Sequence, residues 1–240
     1  MQFKYDFHIH SGLSPCAEKD MTPVDIVGLA KLNGLDMVAI ADHNAIGNVE
    51  VALKAGEFYG VTVIPAFELQ TAEEIHILCL FESFEDLEAC YKSIEFLKVK
   101  NKPEIYGNQY FYDEDDNIIG EEENLLLMNA KIPSHKVYNL VKEHNGIAIP
   151  AHIDRDANSM LQILGTITEE FHVVELSTRA TGEWYERYKD YLIIVDSDAH
   201  TTDRIGKSVI DLPENSAKAL ISYLRNYRRG QKWENFLWTY

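Results

Sequence analysis

Apolar positions in this chain follow two alternating patterns. Nearly continuous runs rich in β-formers occur at Phe3–Ile9, Met37–Ala41, Val61–Phe67, Ile75–Leu80, Ile147–Ala151, Val173–Leu176, Leu192–Ser197 and Ser208–Leu212. Short apolar runs bounded by turn residues predict buried strands. Between them, Pro23–Leu32, Val49–Tyr59, Phe84–Leu97, His135–Glu143 and Ser216–Tyr227 carry apolar residues three and four apart, the spacing of one helix face. Thr22, Asn48, Ser83 and Ser134 stand where a side-chain oxygen can cap a first turn. Strands alternating with helices predict βα units around a parallel sheet or barrel. Without Gly- or Ser-rich linkers or internal repeats, residues 1–240 read as one domain.

Residues 101–128 depart from this pattern. The aromatic run Tyr110–Tyr112 and the pair Ile118-Ile119 flank an acidic turn, Asp113–Asn117, which predicts a β-hairpin inserted near residues 105–125. Its functional reading is a lid or wall over a pocket. In the tail, Trp233, Phe236, Trp238 and Tyr240 read as a barrel-bottom plug or a subunit contact.

Composition narrows the function classes. With 22 Lys and Arg against 39 Asp and Glu, the formal net charge is −17. Such a field repels polyanions, so neither tracking along duplex DNA nor binding an anionic membrane surface is expected; a small anion can still bind at a local positive site such as a metal. The three cysteines, Cys16, Cys79 and Cys90, fit neither a disulfide framework nor a Cys-x-x-Cys knuckle. No run is long and apolar enough for a membrane span, and the first residues lack a signal-peptide core. A cytoplasmic location is expected.

The histidines carry the chemistry. Of nine, six lie at or beside strand ends: His8, His10, His43, His76, His152 and His200. Glu68 and Asp198 share that placement. Side chains two apart on a strand face the same way, so His8 with His10, and Asp198 with His200, can reach one point. In a βα barrel the strand ends open onto one rim, where groups distant in sequence converge. Buried imidazoles and carboxylates need partners, and divalent metals supply them. Imidazole with carboxylate suits Zn, Mn or Fe, and the number of donors predicts two or three ions with one carboxylate bridging. His76 fits least well, because it opens its apolar run instead of closing it; a satisfied core histidine is the alternative there. His135, His144 and His172 fall outside the pattern.

Together, Asp6-Phe7-His8-Ile9-His10-Ser11, Ala41-Asp42-His43-Asn44, Phe67-Glu68, the isolated His76, Ala151-His152 and Ser197-Asp198-Ala199-His200 resemble the polymerase and histidinol phosphatase (PHP) family of metal-dependent phosphoesterases. The resemblance implies an α/β fold, a distorted seven-stranded (β/α) barrel of TIM-like type, with a trinuclear site. By position it implies that His8, His10, Glu68 and Asp198 hold one ion, that Glu68 bridges to a second with His76 and His152, and that His43 and His200 hold a third. Family members often place one more ligand a few residues after the second histidine, where this chain has Cys16, a departure from the usual histidine or acid. Thiolate binds Zn or Fe, so Cys16 is a candidate ligand, with a small packed residue as the alternative. Asp42 is a candidate for orienting a ligand histidine through its outer N–H.

These assignments predict a phosphoesterase in which a metal-activated water attacks phosphorus, with Glu68, Asp198 and Arg155 as catalytic residues. Arg155 is the first choice for an anion clamp, followed by Arg179, Arg204 and Lys207. The substrate expected is a nucleotide, a short oligonucleotide or a small-metabolite phosphate. Two other classes remain open: an amidohydrolase-like metal-dependent hydrolase, and a nucleic-acid-processing or noncatalytic PHP module.

Overall fold

A computed structural model describes residues 1–230; the aromatic tail residues Trp233, Phe236, Trp238 and Tyr240 lie outside the described residues. The elements run β1 (Gln2–Ile9), α1 (Pro23–Leu32), β2 (Met37–Ile40), α2 (Val49–Tyr59), β3 (Thr62–Val63), β4 (Ala66–Gln70), β5 (His76–Phe81), α3 (Phe84–Lys92), α4 (Pro103–Tyr106), β6 (Tyr110–Tyr112), β7 (Ile118–Glu121), α5 (Ser134–Glu143), β8 (Gly146–Pro150), α6 (Met160–Leu164), β9 (Val173–Ser177), α7 (Gly182–Arg187), β10 (Leu192–Asp196), a 3-10 turn (Thr202–Arg204), β11 (Ser208–Asp211) and α8 (Ala217–Asn226).

The fold is mixed α/β, but the strands are not one parallel sheet. They form the ladders β11-β1-β2-β3, β4-β5-β8, β9-β10 and β6-β7. β1, β2 and β3 are parallel, as are β9 and β10, whereas β5 runs antiparallel to both β4 and β8, and β11 antiparallel to β1. Among the described residues no continuous ladder joins the sheets. β8 lies beside β9, β10 beside β1 and β2 beside β4, and single parallel bridges, Ile9 to Ala199 and His43 to Glu68, link neighbours at the strand ends.

Several sequence expectations need correction. The run Val61–Phe67 is two strands, because Pro65 has no N–H for a ladder and the chain changes sheets there. The helix expected at Phe84–Leu97 stops at Lys92, where Ser93 turns its hydroxyl back onto the Cys90 carbonyl at 2.6 Å; Phe96 then pairs with Ala130. Thr22 and Ser83 cap their helices as expected. The Asn48 side chain instead donates to Ser11 Oγ and the Tyr110 carbonyl, and Ser134 lies inside its helix with Pro133 at the cap.

The interior divides along its length. Tyr5, Phe7, Met37, Ala39, Leu78, Leu80, Ile147, Ile149 and Ile194 form an apolar cluster that also takes Leu220, Ile221 and Leu224 from α8. Strict alternation would put His8 on the face opposite Phe7. A register shift between Asp6 and Ile9 breaks the alternation, so Phe7 joins this cluster while His8 reaches Glu68, whose ladder partner Leu78 belongs to the same cluster. An irregularity of this kind re-aims a side chain beside a site.

The inserted hairpin is present as β6 and β7. It packs on the loops after β1 and β2: Tyr110 N–H donates to the Gly12 carbonyl at 2.8 Å, and Tyr112 Oη–H donates to the Lys19 carbonyl at 2.6 Å. A side chain at Gly12 or Gly47 would strike Tyr112 or Phe111, so these glycines permit the close approach.

Candidate metal centre

The histidine and carboxylate candidates lie on strands or on the loops that follow them. β1 brings His8 and His10, the loop after β2 brings His43, β4 brings Glu68, the loop after β8 brings His152, and the loop after β10 brings Asp198 and His200. His76 begins β5, yet it belongs to the same rim because β5 is antiparallel to its neighbours and its start lies against the end of β4, paired with Gln70. A position that fits poorly in an all-parallel reading is thereby explained.

Glu68 is fully buried at the centre. Its Oε1 lies 2.9 Å from His76 Nδ1, 3.1 Å from His152 Nε2 and 3.3 Å from His8 Nε2; its Oε2 lies 2.7 Å from His43 Nδ1. Asp198 Oδ1 stands 2.8 Å from His10 Nε2 and 3.6 Å from His8 Nε2. Three sets of donor atoms each fit within 4.8 Å: His8–His10–Asp198, His43–Glu68–His76 and His10–His43–His200. His43 therefore belongs to two sets, the one with His200 and the one around Glu68.

Hydrogen bonds fix which ring nitrogens are free. Asp42 is buried and accepts from Ser11 N, Ser11 Oγ and Ser14 Oγ at 2.8, 2.6 and 2.7 Å. With its proton committed to Asp42, Ser14 Oγ accepts from His10 Nδ1 at 3.0 Å and from the His43 amide at 3.1 Å. Asp42 thus orients His10 through Ser14 and not by direct contact. His200 Nδ1–H donates to the Asp198 carbonyl at 2.8 Å, and His8 Nδ1–H to Glu175 Oε2 at 2.9 Å. In each of these rings the other nitrogen, Nε2, is left for a ligand.

The electrostatics fit a divalent cation. Burial, with His200 and His43 close by, holds the His10 imidazole well below its usual range, so the ring is neutral. Its Nε2 then faces the Asp198 carboxylate at 2.8 Å with a lone pair, an arrangement that calls for a cation between the two. His8 Nε2 is buried without a hydrogen-bond partner among the described residues, and His43 Nδ1 and Glu68 Oε2, although 2.7 Å apart, are not aligned for a hydrogen bond with each other. Burial pushes Glu68 and Asp198 up, but the facing histidines outweigh it and hold both carboxyls well below the usual range. Imidazole and carboxylate donors in this mixture suit Zn, Mn or Fe.

Cys16 is solvent-exposed and stands beside His200 and His43 at the edge of the cluster, outside the three donor sets. Desolvation raises its thiol, but hydrogen bonds with His200 and His43 outweigh that effect and bring it down to about 7. Cys79 and Cys90 are buried elsewhere. Of the cationic candidates, Arg155 pairs with Asp198 Oδ2. Arg155, Arg179 and Arg204 line a cavity of about 890 Å³ together with Trp184, Asp198 and His200. Lys207 does not reach it: its ammonium donates to the Asn33 carbonyl at 2.8 Å, at the opposite end of β2. The hairpin is absent from this cavity's lining and walls the rim beside the β1 and β2 loops instead. His144 binds the Leu140 carbonyl at the end of α5, and His135 and His172 lie outside the cluster.

A model of the PHP domain matches residues 6–229. The chain belongs to the PHP domain family. Among relatives of this PHP domain, a 5'-3' exoribonuclease of Haemophilus influenzae is 30% identical over 110 residues, 44% of this chain and 39% of that protein. Two solved structures share the fold. The lesion-specific endonuclease PfuEndoQ of Pyrococcus furiosus has a TM-score of 0.67 at 18% identity, covering 94% of this chain and 56% of its own. An amidohydrolase from Chromobacterium violaceum, with bound sulfate and no metal, has a TM-score of 0.59 at 17% identity, covering 95% and 98%. The PHP chain thus spans 39% of the exoribonuclease and 56% of the endonuclease.

Glu175 was not anticipated. It is fully buried in β9 and contacts both His8 and the His152 backbone. The signal was present as an acid inside the apolar run Val173-Val174-Glu175-Leu176, a placement that demands partners.

Proposed function

We propose that this chain is a metal-dependent hydrolase of phosphate esters, working as one domain over residues 1–240. Strands β1, β2, β4, β5, β8, β9 and β10 are read as the staves of a distorted seven-stranded barrel, supported by their succession as spatial neighbours. The observation that carries the reading is three donor sets that overlap through His10 and His43, with Glu68 facing His8, His43, His76 and His152, beside a cavity lined by guanidinium groups.

In this reading His8, His10, Glu68 and Asp198 hold one ion, Glu68 extends to a second with His76 and His152, and His43, His200 and Cys16 take a third. Two or three divalent ions of Zn, Mn or Fe would neutralise charge on phosphate oxygens and lower the pKa of a water from about 16 toward 7. The chain's own residues do the remaining work. Glu68 and Asp198 fix the centre's geometry and its negative charge. Ser14 and the Asp198 carbonyl keep the Nε2 lone pairs of His10 and His200 aimed inward. Arg155 stands at the junction of Asp198 and the cavity, where its planar fork can take two phosphate oxygens at once.

The cavity receives the leaving group. Trp184 is stacked on Tyr188 at 5.8 Å and 14°, and a braced indole plane favours a nucleotide or short oligonucleotide over a sugar phosphate. Duplex tracking is disfavoured by the charge of −17.

Phosphate release from a panel of nucleotides, dinucleotides and sugar phosphates, with Zn, Mn or Fe restored after chelation, tests the reading. Metal-dependent release that is lost in His8→Ala supports it. Release that survives chelation, or turnover of amides and lactones alone, overturns it.

A further inference from the structure

We propose that Glu175 is a positioning residue of the metal centre, a carboxylate that uses both oxygens to lock the His8 ring and the His152 turn at once. The inference rests on the reading that His8 and His152 hold metal, and is independent of the substrate.

Glu175 Oε2 accepts from His8 Nδ1 at 2.9 Å, and Oε1 accepts from the His152 amide at 3.1 Å. The Glu175 backbone carbonyl accepts from Ile153 N at 2.9 Å, so one residue of β9 grips the strand before the cluster and the loop after β8. The two side-chain contacts do different things. The first places the proton on His8 Nδ1 and aims Nε2 at Glu68 and Asp198, 3.3 and 3.6 Å away. The second steadies a backbone that otherwise resists its shape, since His152 has φ of 31°, a left-handed conformation that a residue with a Cβ rarely holds. That turn brings His152 Nε2 to within 3.1 Å of Glu68.

Both partners of Glu175 are donors, so the position needs two acceptors. Carboxylate alone among side chains of this length provides them. Glutamine has nearly the same shape but one oxygen and one NH₂, so it satisfies either His8 or His152 and turns a donor toward the other. This makes Glu175→Gln sharper than a truncation: volume and packing are kept, and only the second acceptor is lost.

The experiment uses the full chain and Zn²⁺ as probe. Competition against a chromogenic chelator is expected to show a roughly 10–100-fold loss of zinc affinity in Glu175→Gln, the range typical of removing an outer partner of a ligand histidine, with the far-ultraviolet circular dichroism of the wild type. Long-range ¹H–¹⁵N spectra of the zinc-loaded wild type are expected to show His8 protonated at Nδ1; finding Nδ1 as the ligating nitrogen overturns the proposal without recourse to any variant. Wild-type zinc affinity in Glu175→Gln overturns it too. A wild-type chain that takes up no zinc instead sinks the metal reading beneath it, so the two failures are distinct.

Discussion

Where helices return to strands, at the end of the molecule away from the histidines, the chain takes its left-handed turns mainly at glycine: Gly34 after α1, Gly60 after α2 and Gly165 after α6, with φ of 72°, 67° and 74°. Where strands give way to the loops around the cluster, it takes them at Asn44, His152 and Asp198, with φ of 47°, 31° and 50°. Glycine adopts this conformation freely, whereas a residue with a Cβ gives up roughly 1–2 kcal/mol. The chain thus accepts a left-handed turn where it needs a particular side chain at the turn itself, and uses glycine where the turn only reverses direction. That side chain is an imidazole at His152, a carboxylate at Asp198 and, at Asn44, an amide that donates to the Leu126 and Met128 carbonyls and accepts from Gln70 N. Asn145, at φ of 55° before β8, is the exception at the quiet end, and Asn is among the residues that tolerate the conformation best.

The comparison breaks most visibly at Asp198. Replacement by Ala or by Gly is expected to reduce phosphate release by more than the roughly 10–100-fold loss that follows removal of an outer partner, because the residue faces His8 and His10 directly. The two variants should differ in stability alone. In denaturant titrations Asp198→Gly should exceed Asp198→Ala by about 1 kcal/mol, the backbone strain released. Equal stabilities would mean that Asp198 is not strained by its turn.

The apolar half should respond in the opposite way. Phe7 is fully buried, its ring stacked on Tyr5 at 4.2 Å. Phe7→Ala should lower unfolding free energy by about 3–5 kcal/mol, while zinc stoichiometry at low temperature stays that of the wild type. Loss of zinc binding in protein that is still folded would show that the two halves are not separable. A smaller effect is expected at Gly60, where an added Cβ finds its nearest atom, Lys31 Nζ, at 3.8 Å. Space is available, so the expected cost of Gly60→Ala, about 1–2 kcal/mol by thermal melt, is conformational.

The sequence foretold the two ends unequally. Apolar runs were enough to locate the strands and most helices, because burial leaves a periodic trace, and the histidine positions were enough to gather the cluster. Strand direction was not legible: nothing in Ile75–Leu80 says that β5 runs antiparallel, which is why His76 looked misplaced although it sits 2.9 Å from Glu68. Asp42 could be read as an orienting acid, but the hydroxyl through which it acts, Ser14, could not, because that contact needs the loop after β1 folded back on itself. Glu175 was hidden in a strand that otherwise reads as core.

The inserted hairpin tests whether the rim depends on anything beyond the strand ends. The Tyr112 amide donates to Asn48 Oδ1 at 3.2 Å and its hydroxyl to the Lys19 carbonyl at 2.6 Å, and burial pushes the phenol up to about 12. Removing the hydroxyl in Tyr112→Phe should cost about 0.5–1.5 kcal/mol, the net worth of an ordinary hydrogen bond. The pH dependence has a definite sign. A folded pKa above the unfolded value near 10 means that this contribution is complete below pH 10 and is lost as pH rises through about 12, because phenolate has no proton to donate. The stability gap between wild type and Tyr112→Phe should therefore close over that interval in denaturant titrations, with tyrosinate absorbance near 295 nm rising in step. A gap that stays constant to pH 12 would show that the Tyr112 side chain holds the hairpin by packing, leaving the rim indifferent to the hydroxyl's hydrogen bond.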